Sequence, residues 1–185
     1  QKIERICASR MFDNLSDENI LIGAGAAELI NTLKHVVGLK LALTIPSFNE
    51  YVRCFPNKEI TYINSALNNY KLSLDNLLEV LNKVDTLIVI SPDNPSGSHL
   101  KYEETIKLLE EAKRLGKQII FDESFIDFAD DNYTLINDDI LLKYPNLIVI
   151  KSISKSYGVP GLRLGILATS NKEYLSIINN NLPVW

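Results

Sequence analysis

Residues 86–97 read TLIVISPDNPSG, an apolar run that ends in a cluster of Ser, Pro, Asp, Asn and Gly. The first part, Thr86–Ile90, has the length and branching of a strand buried on both faces, and the turn residues after it cannot continue a strand. Residues 101–115 (KYEETIKLLEEAKRL) then read as a helix, with Gly116 as its C-terminal stop. Strand, turn and helix form a unit that recurs outward in both directions. Toward the C-terminus lie an apolar run over 118–121 that leads into Asp122, the strand 147–150 (LIVI) and a further strand over 164–169. Toward the N-terminus lie 39–45 (LKLALTI, stopped by Pro46), 59–63 (EITYI) and the short run Ile20–Ile22, which ends in GAGAAE. Helical patterns fill the intervals: 2–12, 26–37, 48–55, 74–83 with Ser73 as N-cap, one ending over 140–143, and 171–180. Such alternation predicts an α/β fold, a three-layer α/β/α sandwich around a mostly parallel sheet. Ligands of such sheets sit at the carboxyl ends of the strands. The loops 23–28, 91–97, 122–125 and 151–158 each follow an apolar run, so they are expected to gather on one edge.

The remaining composition is ordinary. The chain has 185 residues, 46% hydrophobic and 23% charged, with a formal net charge of −4. This suffices for one core and gives no sign of general nucleic-acid binding. No apolar run reaches membrane-spanning length, and the N-terminus QKIERICASRMF lacks a signal-peptide core, so a cytoplasmic location is expected. Cys7 and Cys54 read as reduced thiols, and His35 and His99 as structural residues. The acidic stretch 127–139 (DFADDNYTLINDD) reads as a solvated face, since its carboxylates lack the alternation of a calcium loop.

Each of the four loops has both a plain and a chemical reading. Gly23-x-Gly25 opens a helix as a dinucleotide fingerprint does, but Glu28 stands where a third glycine would be, which argues against NAD. Small residues there still let backbone N–H groups approach a phosphate. Asn94-Pro95-x-Gly97 is a β-turn, or an amide held rigid to donate to a ligand. Asp122, at the end of a buried strand, needs a partner: an ordinary cap or salt bridge, or a protonated ring nitrogen. Lys155 sits in KSISKSYGVPGLRLG (151–165) with Ser152 and Ser154 on one side, while Arg163 begins the next strand. Two hydroxyls and a guanidinium make a phosphate site. A lysine partly desolvated beside them would release its proton more readily and attack an aldehyde. A phosphate, a carbonyl and a protonatable ring together describe pyridoxal phosphate.

In order along the chain, NPxG, a D-E-[AS]-[FY] strand end and S-x-S-K-x-x-x-x-x-G-x-R-x-G resemble the fold-type I pyridoxal-phosphate enzymes of aminotransferase class I/II. Within them the chain is most similar to histidinol-phosphate aminotransferases and threonine-phosphate decarboxylases, over nearly its whole length. The resemblance implies that Lys155 forms the Schiff base with the cofactor and moves protons, and that Asp122 pairs with the pyridine nitrogen. It implies that Asn94 donates to the phenolic oxygen and that Phe48, in PSFNEY, stacks on the ring. Ser152, Ser154, Arg163 and the backbone N–H groups of Ala26 and Ala27 would hold the phosphate. Many aminotransferases carry tyrosine where this chain has Phe125, and phenylalanine there, with the PSFNEY stretch and FIDF after the aspartate, looks more like the decarboxylase branch.

The same resemblance implies that residues 1–185 are a cofactor-binding large domain without its N-terminal segment and C-terminal small domain. The chain ends at LPVW, where the hinge would begin, and the fragment alone is expected to turn over poorly. A homodimer acting on a small amino acid or amino-acid phosphate is implied too. Amino-group transfer to a 2-oxo acid is the favoured activity. The alternatives are decarboxylation of a phosphorylated amino acid, or a non-catalytic binding or dimerisation module.

Overall fold

The computed structural model describes residues 2–183, so Val184 and Trp185 of the LPVW segment lie outside the described residues. Eight helices and seven strands alternate among them. The strands are β1 Ile20–Ala24, β2 Lys40–Ile45, β3 Glu59–Asn64, β4 Thr86–Ile90, β5 Gln118–Asp122, β6 Leu147–Lys151 and β7 Leu164–Ala168. The helices are α1 Lys2–Ser9, α2 Ala26–Thr32, α3 Asn49–Cys54, α4 Leu74–Leu81, α5 Tyr102–Arg114, α6 Asp138–Lys143, α7 Ile153–Ser156 and α8 Lys172–Asn181. Boundaries follow local chemistry. The Ser73 hydroxyl caps α4 by accepting from the Asn76 N–H. Gly116, at φ +64, closes α5 in a conformation that costs glycine little. No helix among the described residues is long and apolar enough to cross a membrane.

The sheet order is β1-β7-β6-β5-β4-β2-β3. Strands β2 to β6 pair in parallel. β7 runs antiparallel between β6 and β1, which the sequence pattern leaves open. The central strands look continuously apolar because alternate residues feed two cores. Leu87, Val89, Ile119, Phe121 and Val149 pack with Leu77, Leu108 and Leu141 of α4, α5 and α6. Ile88, Ile90, Ile120, Ile148 and Ile150 pack with Leu29, Tyr51 and Ile178 of α2, α3 and α8. The result is the expected three-layer α/β/α sandwich.

One expectation needs correcting. The stretch 127–139 is not wholly a solvated face, because Leu135 and Ile136 within it are fully buried. The side chain of Glu123 accepts a hydrogen bond from the Leu135 N–H and another from the Thr134 hydroxyl, which draws this loop onto the core.

Candidate active site

The carboxyl ends of β4, β5 and β6 and the start of α2 surround a cleft of about 170 Å³. All the sequence-predicted site residues except Ser154 line it, as do Ile90, Ser124 and Phe125. The loops meet there because the parallel strands all end on the same edge.

Asp122, the last residue of β5, is 4% exposed. One carboxylate oxygen accepts from the Tyr51 hydroxyl at 2.8 Å and the other from the Ser124 N–H at 2.9 Å. Burial pushes its carboxyl above the ordinary aspartate range, against the opposing pull of Ser124, Tyr51 and the Lys155 ammonium. The phenol of Tyr51, wholly buried beside this carboxylate, is pushed well up by the same burial and by the Asp122 charge. Tyr51 and Ser124 are site residues that sequence reasoning missed. Ser124 had a signal, since it stands in FDESF, and its hydroxyl also accepts from the Ser152 N–H at 3.0 Å. Tyr51 had none beyond its place one helical turn after Phe48.

Lys155 belongs to the single turn α7. Its ammonium lies 4.2 Å from the Phe125 ring centre and 5.3 Å from that of Phe48. The expectation of a partly desolvated lysine is not met, since the residue is exposed. Two aromatic faces, rather than burial, hold the ammonium. Phe125 thus underlies the lysine with a ring that has no hydroxyl to donate.

The SPDNPSG loop forms the expected turn with Asn94 at its cleft side. The Asp93 carboxylate accepts from the hydroxyls of Ser47 and Ser96, the loop closes through the Gly97 N–H on the Asp93 carbonyl, and Asn94 is left facing the cleft. Among the described residues the Asn94 amide makes no hydrogen bond.

At the other end of the cleft, Ala26 and Ala27 open α2, where N–H groups have no partner within the helix. Glu28 folds back to accept from the Ala24 N–H at 2.7 Å, so it caps this turn. Gly25 adopts φ +82, and a Cβ there would stand 2.8 Å from the Arg163 guanidinium. Arg163 itself has φ +49, a left-handed conformation that costs a non-glycine residue about 1 kcal/mol or more. That strain aims its side chain into the cleft. Ser154, expected in the phosphate cradle, is engaged elsewhere: its hydroxyl accepts from the Leu164 N–H at 2.7 Å. This bond fixes the segment that carries Arg163. Ser152, which precedes α7, remains in the cleft lining.

Comparison with known proteins agrees with this geometry. The family model for aminotransferase class I and II matches residues 5–183. The chain belongs to this family. It is 36% identical over 178 residues to an L-serine phosphate decarboxylase of Campylobacter jejuni, covering 91% of this chain and 45% of that protein. It is 30% identical over 177 residues to a histidinol-phosphate aminotransferase of Schizosaccharomyces pombe, covering 90% of this chain and 44% of that protein. The histidinol-phosphate aminotransferase structure from Clostridium acetobutylicum superposes with a TM-score of 0.80 at 24% identity, over 99% of this chain and 54% of the other. The chain therefore spans about half the length of the curated relatives it matches.

The aminotransferase class I and II family is pyridoxal-phosphate-dependent, and the cleft suits that cofactor. Asp122 is a buried carboxylate with no ion pair among the described residues, so a protonated ring nitrogen would complete it. Opposite, Arg163, Ser152 and the first N–H groups of α2 surround a space that a Cβ on Gly25 would fill. Anion acceptors and the aspartate thus stand at separate places in one cleft, with Lys155 in its lining.

Proposed function

We infer that this chain is the cofactor-binding part of an enzyme that decarboxylates a phosphorylated α-amino acid. The observation that carries the reading is the cleft itself, where Lys155, Asp122 and Arg163 stand together and Phe125 lies under the lysine. The 36% identity to an L-serine phosphate decarboxylase supports the choice of reaction and of substrate class. Pyridoxal phosphate, when bound, supplies an aldehyde that condenses with amines and a protonated ring that withdraws electrons from the α-carbon.

The chain's own residues divide the remaining work. Lys155 is the amine that holds the cofactor and, once released, gives or takes a proton at the substrate α-carbon. Asp122, kept anionic by Tyr51 and Ser124, holds the proton on the ring nitrogen. Arg163, Ser152 and the N–H groups of Ala26 and Ala27 bind the phosphate, and Ser154 steadies Arg163 through Leu164. Asn94 donates to the ring oxygen, and Phe48 covers one ring face and excludes water. Phe125 offers no hydroxyl to that oxygen, so Asn94 acts there without the help that tyrosine gives in many relatives.

Amino-group transfer, the reading favoured from the sequence alone, is the second reading, supported by the 30% identity to a histidinol-phosphate aminotransferase. A homodimer belongs to either reading. The exposed Phe128, Tyr157 and Leu162, all near site residues in the chain, support an interface at the cleft mouth. The deciding experiment supplies the full-length protein with pyridoxal phosphate and phosphoserine and measures carbon dioxide release. Release without any 2-oxo acid acceptor supports decarboxylation. Amino transfer to 2-oxoglutarate from a phosphorylated amino donor, with no carbon dioxide, would replace it with the second reading.

A further inference from the structure

Asp93 stands next to the cleft without lining it, and the reaction described above does not use it. The residue is 4% exposed, and among the described residues no cation pairs with it. A carboxylate taken out of water costs several kcal/mol unless hydrogen bonds restore it. Here one oxygen accepts from the Ser96 hydroxyl at 2.6 Å and from the Ser96 N–H at 3.3 Å. The other accepts from the Ser47 hydroxyl at 3.2 Å. Closing a β-turn needs no charge, since serine or asparagine does it as well. The second oxygen sets this residue apart, because Ser47 lies 46 positions away.

Both ends of this bridge adjoin residues of the cleft. Asp93 precedes Asn94, Ser47 precedes Phe48, and both Asn94 and Phe48 line the cleft. With no hydrogen bond of its own, the Asn94 amide takes its aim from the backbone that carries it. That backbone is a turn closed by the Gly97 N–H on the Asp93 carbonyl and by the Asp93 N–H on the Ser98 carbonyl, each at 2.8 Å. The Ser47 segment leads into α3, whose Tyr51 donates to Asp122. The sheet does not join these two segments, since the register of β2 with β4 ends at Leu43 and Ile88. Beyond that point the Asp93 carboxylate ties the turn after β4 to the connection between β2 and α3.

We propose that Asp93 is a positioning residue for Asn94: its carboxylate closes the turn that aims the Asn94 amide and, through Ser47, fixes that turn against the segment that carries Phe48. This rests on the reading of the cleft as the pyridoxal-phosphate site. The test uses the full-length protein with Asp93→Ala, Asp93→Asn, Ser47→Ala, Asn94→Ala and the double variant Asp93→Ala/Asn94→Ala. Asparagine at 93 keeps the shape without the charge: its carbonyl accepts from Ser96 and its NH2 group donates to the Ser47 oxygen. Two readouts are taken. One is the pH midpoint at which the near-visible band of the bound cofactor changes. The other is amide exchange over 94–98 in protein without cofactor.

An amide that donates to the ring oxygen favours the deprotonated form of the bound cofactor, where that oxygen carries more negative charge. Losing this bond raises the midpoint, whereas losing the Asp93 charge alone lowers it. Asn94→Ala should therefore raise the midpoint by about one pH unit. Asp93→Ala should move it the same way, and the double variant should rise no further than Asn94→Ala. Ser47→Ala should raise it by less, and Asp93→Asn should not raise it. Exchange over 94–98 should quicken in Asp93→Ala and Ser47→Ala while β4 and β5 stay protected. A lowered midpoint in both Asp93→Ala and Asp93→Asn would overturn the proposal, because the carboxylate would then act through its charge. Additive shifts in the double variant would overturn it too, as would wild-type exchange over 94–98 in Asp93→Ala. Should Asp93→Ala fail to fold, a wild-type midpoint and wild-type exchange in Ser47→Ala would do the same. Absence of the band in the wild type would instead sink the cofactor reading, while the exchange measurement would still decide whether Asp93 holds the turn.

Discussion

Asp122 is a carboxylate placed where water does not reach, and its two oxygens are satisfied by Tyr51 and Ser124. Removing one donor leaves a buried acceptor unpaired, which costs roughly 1–3 kcal/mol. Tyr51→Phe should therefore lower stability by about that amount in urea titrations, and should also weaken capture of pyridoxal phosphate. Lys155→Ala should abolish the near-visible absorption band that the wild type gains with the cofactor, with little change in melting temperature, because this lysine is exposed. At this scale the sequence is a good guide to residues whose neighbours along the chain declare them. Asp122 ends an apolar run and Lys155 stands among serines and glycines. It is a poor guide where the partner is remote. The Tyr51 hydroxyl reaches Asp122 across 71 positions, and no local pattern encodes that distance. The exposure of Lys155 escaped for the same reason, since it depends on where α7 stands relative to Phe48 and Phe125.

Among the elements, the junction of β1, α2 and β7 shapes the end of the cleft that holds Arg163 and the start of α2. Gly165 lets β7 pass beside the start of α2. A Cβ there would stand 2.4 Å from the Ala26 nitrogen, and both sides of that contact are backbone. Neither side can yield cheaply, so Gly165→Ala should cost on the order of 1–3 kcal/mol and displace the N–H groups of α2. The checks are a lowered melting temperature and weaker cofactor capture. Ser154→Ala acts more gently. It removes the hydroxyl that holds Leu164, and should cost about 1 kcal/mol while loosening Arg163. Its signature is a weakened grip on phosphate: inorganic phosphate should compete less well with pyridoxal phosphate than in the wild type. The sequence placed every strand to within a residue or two, because period-two burial and turn residues are local signals. It did not separate Ser152, which faces the cleft, from Ser154, which serves β7. That choice depends on which side of a single turn meets the neighbouring strand.

For the molecule as a whole, the buried acids give stability a definite pH dependence. Burial pushes Glu123 up to about 7, from an ordinary value of 4.5, against the pull of Lys151, Thr134 and Leu135. The native state then binds this proton more tightly than the unfolded chain does. The contribution is complete below about 4.5 and is lost as pH rises through about 7. Asp122 is raised as well and acts in the same direction. Denaturant titrations at pH values on either side of this window should show the wild type losing stability as pH rises, and Glu123→Gln should flatten most of that slope. The sequence by itself determined the α/β class, the strands, the loops that gather at one sheet edge and the lysine, aspartate and arginine of the cleft. Apolar periodicity, turn chemistry and short spacings decide these, and they act between near neighbours in the chain. Only the tertiary structure decided the antiparallel placement of β7, the Tyr51–Asp122 bond, the diversion of Ser154 and the Ser47–Asp93 bond beside the site. Each of these depends on packing and hydrogen bonds between segments far apart in sequence, which form only once the sheet has brought those segments together.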